Sequence, residues 1–592
     1  MLKVAIKNNF KNHWFILIPA ILIGFLIALP TISSIFKIGL NNFKGIYPIF
    51  SDDEDYYLAY SQDVIDGHFQ GGNIYLSEYK NQPYIQPPLA EILFAFEAKL
   101  FHLSVPAIFV INDFIFTVVG IILIYLLFFK ITKSKWLSSI SSSLFYLLFL
   151  FAFGRPVNPQ FSSLFLFLGM LFIWQIISGQ SETNKLIKFN LGLAVAIGLS
   201  IYLYPYYWTT LFVVYIINLL FIFYQQKNFK QIFKNIVPFF AVLIILVLPY
   251  LINLIKALAS PTYIKVISRY GLLTNHWPAC YFNVALIFLT TIVLLLARKE
   301  INQTEKFFSY SLLIGGLILN WQNVLTGKYL QFSSHYYPVT VLFCFIIFAI
   351  IINSIKDKIY VNKKLIGKYL AFLFLILAIF SLIAYQQKGN LIGGLSLIAG
   401  TEKLTMVELQ NKTELFNWFN QNTPVDSVIY SLSENYSALL PIYTHNNLYS
   451  WGYAGCFIIS DQEIEDRWIR QNIFKDKLAA SDVIESSRTL WLNKYIDNFQ
   501  NKEIRRKIIY LLTRIKLPET KLIPEQEITR VLDKFNQVKQ ENLETSLKKY
   551  TINYILVDLD EEKNRGLEEK LSNYNFIEFI KRIGDNNIYQ VN

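Results

Sequence analysis

The sequence predicts a mainly α-helical, polytopic membrane protein that ends in a soluble α/β domain. Three observations predict it. Apolar residues fill 54% of the 592 positions and charged residues only 16%, against about 25% charged in a typical soluble domain. The apolar residues fall in runs of roughly 20, the length that crosses a bilayer core of ~30 Å. The charge is uneven: residues 386–592 hold 26 Lys+Arg and 28 Asp+Glu, while residues 1–385 hold 28 and 14. The net charge of +12 thus sits in short loops between apolar runs. Membrane topology accounts for it, and no nucleic-acid partner is expected. Three cysteines allow one disulfide at most, which excludes a disulfide scaffold.

Residues 1–385 read as a transmembrane domain of about eleven spans, at 14–36, 107–129, 137–153, 159–178, 189–204, 206–224, 236–255, 279–297, 308–321, 338–355 and 367–385. Pro205 divides one long apolar run into two spans, because proline breaks a helix and disfavours helix in the residue before it. No small-residue cleavage site follows the first run, so it reads as a retained anchor. With the N-terminus in the cytoplasm, 19 basic residues fall on that side, including Lys3, Lys7, Lys11, Lys130, Lys133, Lys135, Lys363 and Lys364. Nine fall on the other side. That bias sets the N-terminus inside and, after eleven spans, residues 386–592 outside.

Residues 386–592 have ordinary soluble composition. The pattern predicts a helix ending near 413–420, a strand at 426–430, a helix and a strand within 433–449, helices through 461–550, a strand at 554–557, a helix near 561–571, and strands at 576–580 and 587–591. Strands alternating with helices predict a small α/β domain. It shows no phosphate-binding glycine loop and no Cys/His metal spacing. It is therefore expected to shape access for an acceptor and to leave the chemistry to the membrane domain.

The first outer loop, residues 37–106, is where the chemistry concentrates. Nine of the 14 acidic residues of the membrane part lie between Asp52 and Glu97, and Tyr56, Tyr57 and Tyr60 are interleaved with the first of them. Asp63 and Asp66 fall about one turn apart on the helix-like stretch that follows and read as surface or capping groups. Pro87 and Pro88 suit the start of a second helix. On it Leu89, Leu93, Phe96, Leu100 and Leu103 form one stripe, and Glu91, Ala95, Ala98 and His102 another. This pattern predicts an amphipathic helix lying in the membrane interface.

The loop resembles that of the GT-C glycosyltransferases, polytopic enzymes that take sugars from polyprenyl-phosphate donors. Asp52-Asp53-Glu54 with Tyr56-Tyr57-Leu58-Ala59 and Asp66-Gly67-His68 carry the likeness. Tyr84-Ile85-Gln86-Pro87-Pro88-Leu89 is similar to the KPPL or HPPL segment of aminoarabinose-transferase-like and protein-mannosyltransferase-like members. The resemblance covers the loop at motif level and the spans at the level of architecture. It implies sugar transfer to an extracytoplasmic glycan, lipid or protein by a multi-pass plasma-membrane enzyme. Asp53 would be the general base, with Asp52 and Glu54 in supporting or metal-contacting roles. Tyr56 and Gln86 would contact substrate. Gln86 stands where those members carry Lys or His, so it brings no charge to a donor phosphate.

The chemistry supports the same expectation. Outside the membrane no nucleotide-sugar pool exists, so a donor arrives tethered to lipid. Transfer needs a base for the acceptor hydroxyl and positive charge at the leaving phosphate. Clustered carboxylates raise one another's pKa and bring a base toward working pH. Outer-loop candidates for the phosphate are Arg155, Arg269, Lys328 and His335. A divalent cation would do the same work, but no ligand spacing specifies one. The alternatives are a non-catalytic relative, a transporter, or a lipid-linked glycan polymerase. Transport usually needs ionisable groups inside the bilayer; the spans are nearly free of them, Asp113 being the clear exception. The orientation is checked with a reporter fused after Asn592, which is expected to be active only outside the cytoplasm. A reporter active only inside would remove both outer assignments at once.

Overall fold

The computed structural model describes the chain except residues 1–12, 51–52, 151–153, 180–182, 227–228, 273–275, 279, 329–332, 362–365, 401–402 and 562–565. Asp52, Lys3, Lys7, Lys11, Lys363 and Lys364 lie outside the described residues. The membrane part is built from α1 (Leu17–Ile38), α2 (Glu54–Ile65), α3 (Leu89–Phe101), α4 (Val105–Thr132), α5 (Lys135–Leu148), α6 (Ser162–Ile177), α7 (Thr183–Ile201), α8 (Pro205–Gln226), α9 (Phe229–Leu258), α10 (Tyr263–Arg269), α11 (Tyr281–Ala297), α12 (Gln303–Thr326), α13 (Tyr337–Val361) and α14 (Ile366–Gly400).

A helix stands at each of the eleven predicted span positions. Eight helices among the described residues are long and apolar enough to cross a membrane. The other three fall short for physical reasons. Helix α5 has 14 residues, roughly 21 Å at 1.5 Å per residue. Helix α11 has 17. Helix α12 has 24 residues but carries Gln303, Glu305, Lys306, Asn320, Gln322 and Asn323. Proline at position 205 starts α8, where its missing N–H costs nothing.

Helix α4 is the hub, packing against α1, α5 and α6. Gly120 permits the closest approach on it. A Cβ there would lie 1.8 Å from the Tyr146 hydroxyl of α5, the small-residue contact typical of helices packed in a membrane. On α3 Phe96, Leu100 and Phe101 turn outward, each more than half exposed, while Phe94 packs inward. Its small face, Glu91, Ala95 and Ala98, is the buried one. An apolar outer face is what a helix at a membrane interface presents.

Beyond α14 come α15 (Lys403–Asn422), β1 (Val428–Ser431), α16 (Glu434–Tyr443), β2 (Asn447–Leu448), six short helices α17–α22 between Asp461 and Leu547, β3 (Tyr554–Asp558), α23 (Leu567–Ser572), β4 (Ile577–Ile583) and β5 (Asn586–Val591). The sheet order is β2-β1-β3-β5-β4. Strands β2, β1 and β3 run parallel, and β5 and β4 complete the sheet antiparallel. All four residues of β1 are buried, as expected of a central parallel strand covered on both faces. The compositional change at 385/386 falls inside α14.

The segment between α1 and α4 is stitched to this sheet-bearing region. Leu448 N–H donates to Tyr75 O at 2.8 Å, and Asn73 Nδ2 donates to Ala454 O at 3.2 Å. Arg467, 2% exposed, pairs with Glu78 at 2.9 Å and with Glu463 at 2.9 Å. Arg269 on α10 is buried too. It donates to Gly455 O at 2.9 Å, Phe457 O at 3.0 Å, Ile459 O at 2.9 Å and Asp461 Oδ1 at 2.7 Å. Asp63 is not the surface group the sequence suggests. It is 6% exposed and ion-paired with the buried Lys80, which also donates to Ile74 O at 2.8 Å. Lys80→Met would leave that carboxylate alone and is expected to cost about 3–5 kcal/mol. The double variant Asp63→Leu/Lys80→Met should recover much of the loss in thermal unfolding. Equal losses in both would deny the coupling.

Candidate active site

Helix α1 is capped by Gly39, and Asp53 stands at the N-terminus of α2. Residues 40–50 follow α1 and are held from the sheet-bearing region. Gln410 accepts from Ile46 N–H at 3.3 Å and donates to Ile46 O at 2.7 Å, and Tyr47 N–H donates to the Tyr443 hydroxyl at 2.9 Å. Asp53 takes the left-handed conformation, φ 63°, which aspartate adopts more readily than most residues. The turn lifts its carboxyl group off the helix end, and no side-chain cap is made.

Three donors meet that carboxylate. Tyr453 donates to Oδ1 at 2.6 Å and Arg488 Nη2 donates to Oδ1 at 3.0 Å. Arg155 Nη1 donates to Oδ2 at 3.3 Å. Each guanidinium also lies over a tyrosine ring, Arg155 at 5.9 Å from the Tyr57 centroid and Arg488 at 5.3 Å from that of Tyr453. A carboxylate oxygen accepts about two hydrogen bonds. Oδ1 is filled by described residues, whereas Oδ2 takes one bond from them. Asp53 is 38% exposed and Arg488 64%, so the cluster opens to solvent.

Arg155 reaches Asp53 because the turn after it is pinned. Pro156–Phe161 packs on α3, α4 and α6. Gln160 Nε2 donates to Asp113 O at 3.0 Å and to Thr117 Oγ1 at 2.9 Å, and Asn158 Nδ2 donates to Leu203 O at 3.2 Å. His335 is the neighbour of this arginine. It is hydrogen-bonded to the Tyr204 hydroxyl and stacked on Tyr206 at 4.8 Å. Burial first, and then the charge of Arg155, push its pKa down to about 4. At that value the ring is neutral at pH 7.

The remaining sequence candidates separate. Glu54 accepts from Phe50 N–H at 3.3 Å. Tyr56 is buried and stacked on Phe457 at 6.0 Å. Gln86 contributes its carbonyl to the Tyr60 hydroxyl at 3.0 Å. Arg269 is committed to the docking contacts above. Lys328 is exposed, and its carbonyl accepts from Gln322 at 2.8 Å. Burial raises the pKa of Asp55 against a backbone hydrogen bond from Tyr56, and the charge of Asp53 adds a smaller push upward. Among the described residues no group of three or more His, Cys, Asp or Glu could hold a metal ion.

Sequence reasoning missed Tyr453 and Arg488. They lie 400 and 435 positions from Asp53, in the region expected to leave the chemistry to the membrane part. No local pattern marks them, since Arg488 is one of 26 basic residues beyond position 385.

No protein-family model matches the chain, and no curated protein matches it. Among solved structures the chain is similar to ArnT from Cupriavidus metallidurans bound to undecaprenyl phosphate, at 8% identity over 96% of this chain and 97% of that one, with a TM-score of 0.42.

Two carboxyl groups on the helices of the segment between α1 and α4 have raised pKa values: partly buried Asp66 at the C-terminal end of α2 and buried Glu91 on α3. Asp66 is raised to about 7, chiefly by burial and against a hydrogen bond from Gln62. Glu91, 1% exposed, is raised by burial to about 8. Their unfolded values lie near 4, so between about pH 4 and 7–8 the folded state holds more protons than the unfolded one. Their contribution to stability then falls as pH rises through that window. Asp66→Asn and Glu91→Gln fix the neutral form. The midpoint of thermal unfolding of each variant, relative to the parent, should climb between pH 5 and pH 8. A pH-independent difference would refute the assignment.

Proposed function

We propose that the chain is a plasma-membrane glycosyltransferase that moves a sugar from a polyprenyl-phosphate donor to an acceptor outside the cytoplasm. The observation that carries this reading is the Asp53 cluster. One carboxylate, whose Oδ2 takes a single bond from the described residues, lies beside two guanidiniums at the start of a helix next to the spans. Asp53 Oδ2 takes the proton of the acceptor hydroxyl as that oxygen attacks the anomeric carbon of the sugar. The bond from that carbon to the phosphate oxygen breaks, and its electron pair leaves with the polyprenyl phosphate. Arg155 and Arg488 meet the phosphate charge that develops. Each stays charged at any physiological pH, which the neutral His335 does not. The first-loop motif Asp52-Asp53-Glu54 supports the same reading, and the lysine asymmetry supports an outer location.

The test is consumption of a polyprenyl-phosphate sugar by the full chain in bilayer nanodiscs. Asp53→Asn should lower turnover by about 10²–10⁴ while thermal stability and donor binding stay close to the parent. Arg155→Gln is expected to lose about 10²–10³. Near-parental transfer by Asp53→Asn, with loss in Glu54→Gln or Asp52→Asn, would move the base to a neighbour. Silence of all three would end the glycosyltransferase reading.

A further inference from the structure

Helix α20 (Ile496–Thr513) turns an apolar stripe away from the protein. At about 100° per residue, Ile504, Ile508, Leu511 and Leu512 fall on one face. All four are exposed, and the two leucines are each more than two-thirds exposed. Ile515, just past the helix, is more than half exposed. Among the described residues none of these five belongs to a hydrophobic core. Contiguous apolar surface of this kind marks a contact with something else. Arg505 and Lys507 stand at the two edges of the stripe. From Lys502 to Lys516 the chain carries six basic residues and one acidic residue, Glu503. That carboxylate is paired with Arg506 at 2.8 Å, on the face opposite the stripe. The rest of the C-terminal region holds more acid than base, so the positive charge is local to this helix.

The root of the helix is tied to the end of a span. Asn493 N–H donates to Arg269 O at 3.0 Å, and Lys494 pairs with Asp461 at 3.3 Å. Arg269 closes α10, which follows shortly after the apolar helix Ile236–Leu258. Most of that helix faces outward. Ile255 and Leu258 at its end, and Ile264 on α10, are each more than half exposed. The end of a lipid-facing span is where a bilayer meets water, so α20 leaves the protein at that level. Leucines on one face with arginine and lysine beside them are the pattern of a helix that lies in the plane of a bilayer interface. Cations at that depth meet the phosphates of anionic lipids. A second copy of the chain is a poorer occupant, because it would bring the same cations to the edges of the stripe.

We infer that α20 lies in the surface of the same bilayer that the spans cross, with Leu511 and Leu512 among the acyl chains and Arg505 and Lys507 on anionic lipid phosphates. A helix held there also sets the height above the bilayer of Arg488, just before it in the chain. The test is spin-label depth measurement on the full chain, one copy per nanodisc, in phosphatidylcholine with and without phosphatidylglycerol. Cys280→Ser removes the one native thiol that is not buried. Nitroxides are then placed at Leu512→Cys and, on the opposite face, at Arg506→Cys. With phosphatidylglycerol present, the Leu512 label should collide with oxygen and escape a water-soluble nickel chelate, reporting a depth of about 5–10 Å. The Arg506 label should meet the chelate freely. Arg505→Gln should weaken the membrane contact about fivefold, read from the immersed and exposed fractions of the Leu512 label. Equal chelate access at the two positions would overturn the inference. So would a Leu512 depth that ignores both phosphatidylglycerol and Arg505→Gln. Protection of Leu512 that appears only when two chains share a disc would assign the stripe to a second copy and overturn it too. None of these readings requires sugar transfer, so the two proposals fail separately.

Discussion

The site depends on burying guanidinium charge. Arg269 and Arg467 are among the largest fully enclosed side chains of the protein. A cation removed from water is tolerable only with close, well-directed partners. Arg269 finds them by drawing together the carbonyls of Gly455, Phe457 and Ile459 and the carboxylate of Asp461. These four groups lie just after Tyr453. Arg467 joins Glu78 of the first outer loop to Glu463 of α17 (Asp461–Gln471). Neither arginine touches Asp53. Together they fix which part of the C-terminal region stands over the first outer loop, and so which side chains reach that carboxylate. A shift at either contact would strand a buried charge, so the arrangement has little freedom to drift.

The same low-polarity surroundings sort the candidates by charge. Burial discourages the charged form of any group without an opposite partner. His335 loses its proton for that reason, and Asp66 and Glu91 hold theirs. Arginine resists this effect because its intrinsic pKa is so high. Positive charge near Asp53 is therefore concentrated on Arg155 and Arg488, both delocalised cations lying over tyrosine rings. Of the aromatic residues, 16% of the chain, several form the wall that lets two guanidiniums sit close together beside one carboxylate.

Much of the architecture was legible because it rests on local composition. Runs of apolar residues mark the helices of the membrane part, and short apolar runs between polar segments mark strands such as β1 and β3. The span count was less secure. Lys135–Leu148 and Tyr281–Ala297 are apolar but short, and hydropathy alone does not reveal where a helix stops. In the candidate site, the motif drew attention to Asp53 and the turn beside proline to Arg155, and the two side chains meet. Asp63 was misread because acidity suggests exposure, and only the tertiary fold brings Lys80 to it. Tyr453 and Arg488 were unreadable for the same reason. Their role comes from docking across some 400 positions of sequence, and no spacing encodes that.

This docking changes what the C-terminal region is. A domain that merely covered the membrane part could be exchanged for another cover of the same shape. Here two of the three donors to Asp53 come from it. Removing it would leave the carboxylate with Arg155 alone. The free energy that holds Tyr453 and Arg488 in place is supplied elsewhere, by the Arg269 and Arg467 contacts and by the backbone pairing of Leu448 with Tyr75. Separating the docking contacts from the groups they position lets the latter stay partly exposed, Arg488 at 64%. A buried arginine such as Arg269 is held by every partner that its burial requires, whereas one at the edge of the cluster, on a rigid support, keeps a solvent-facing side.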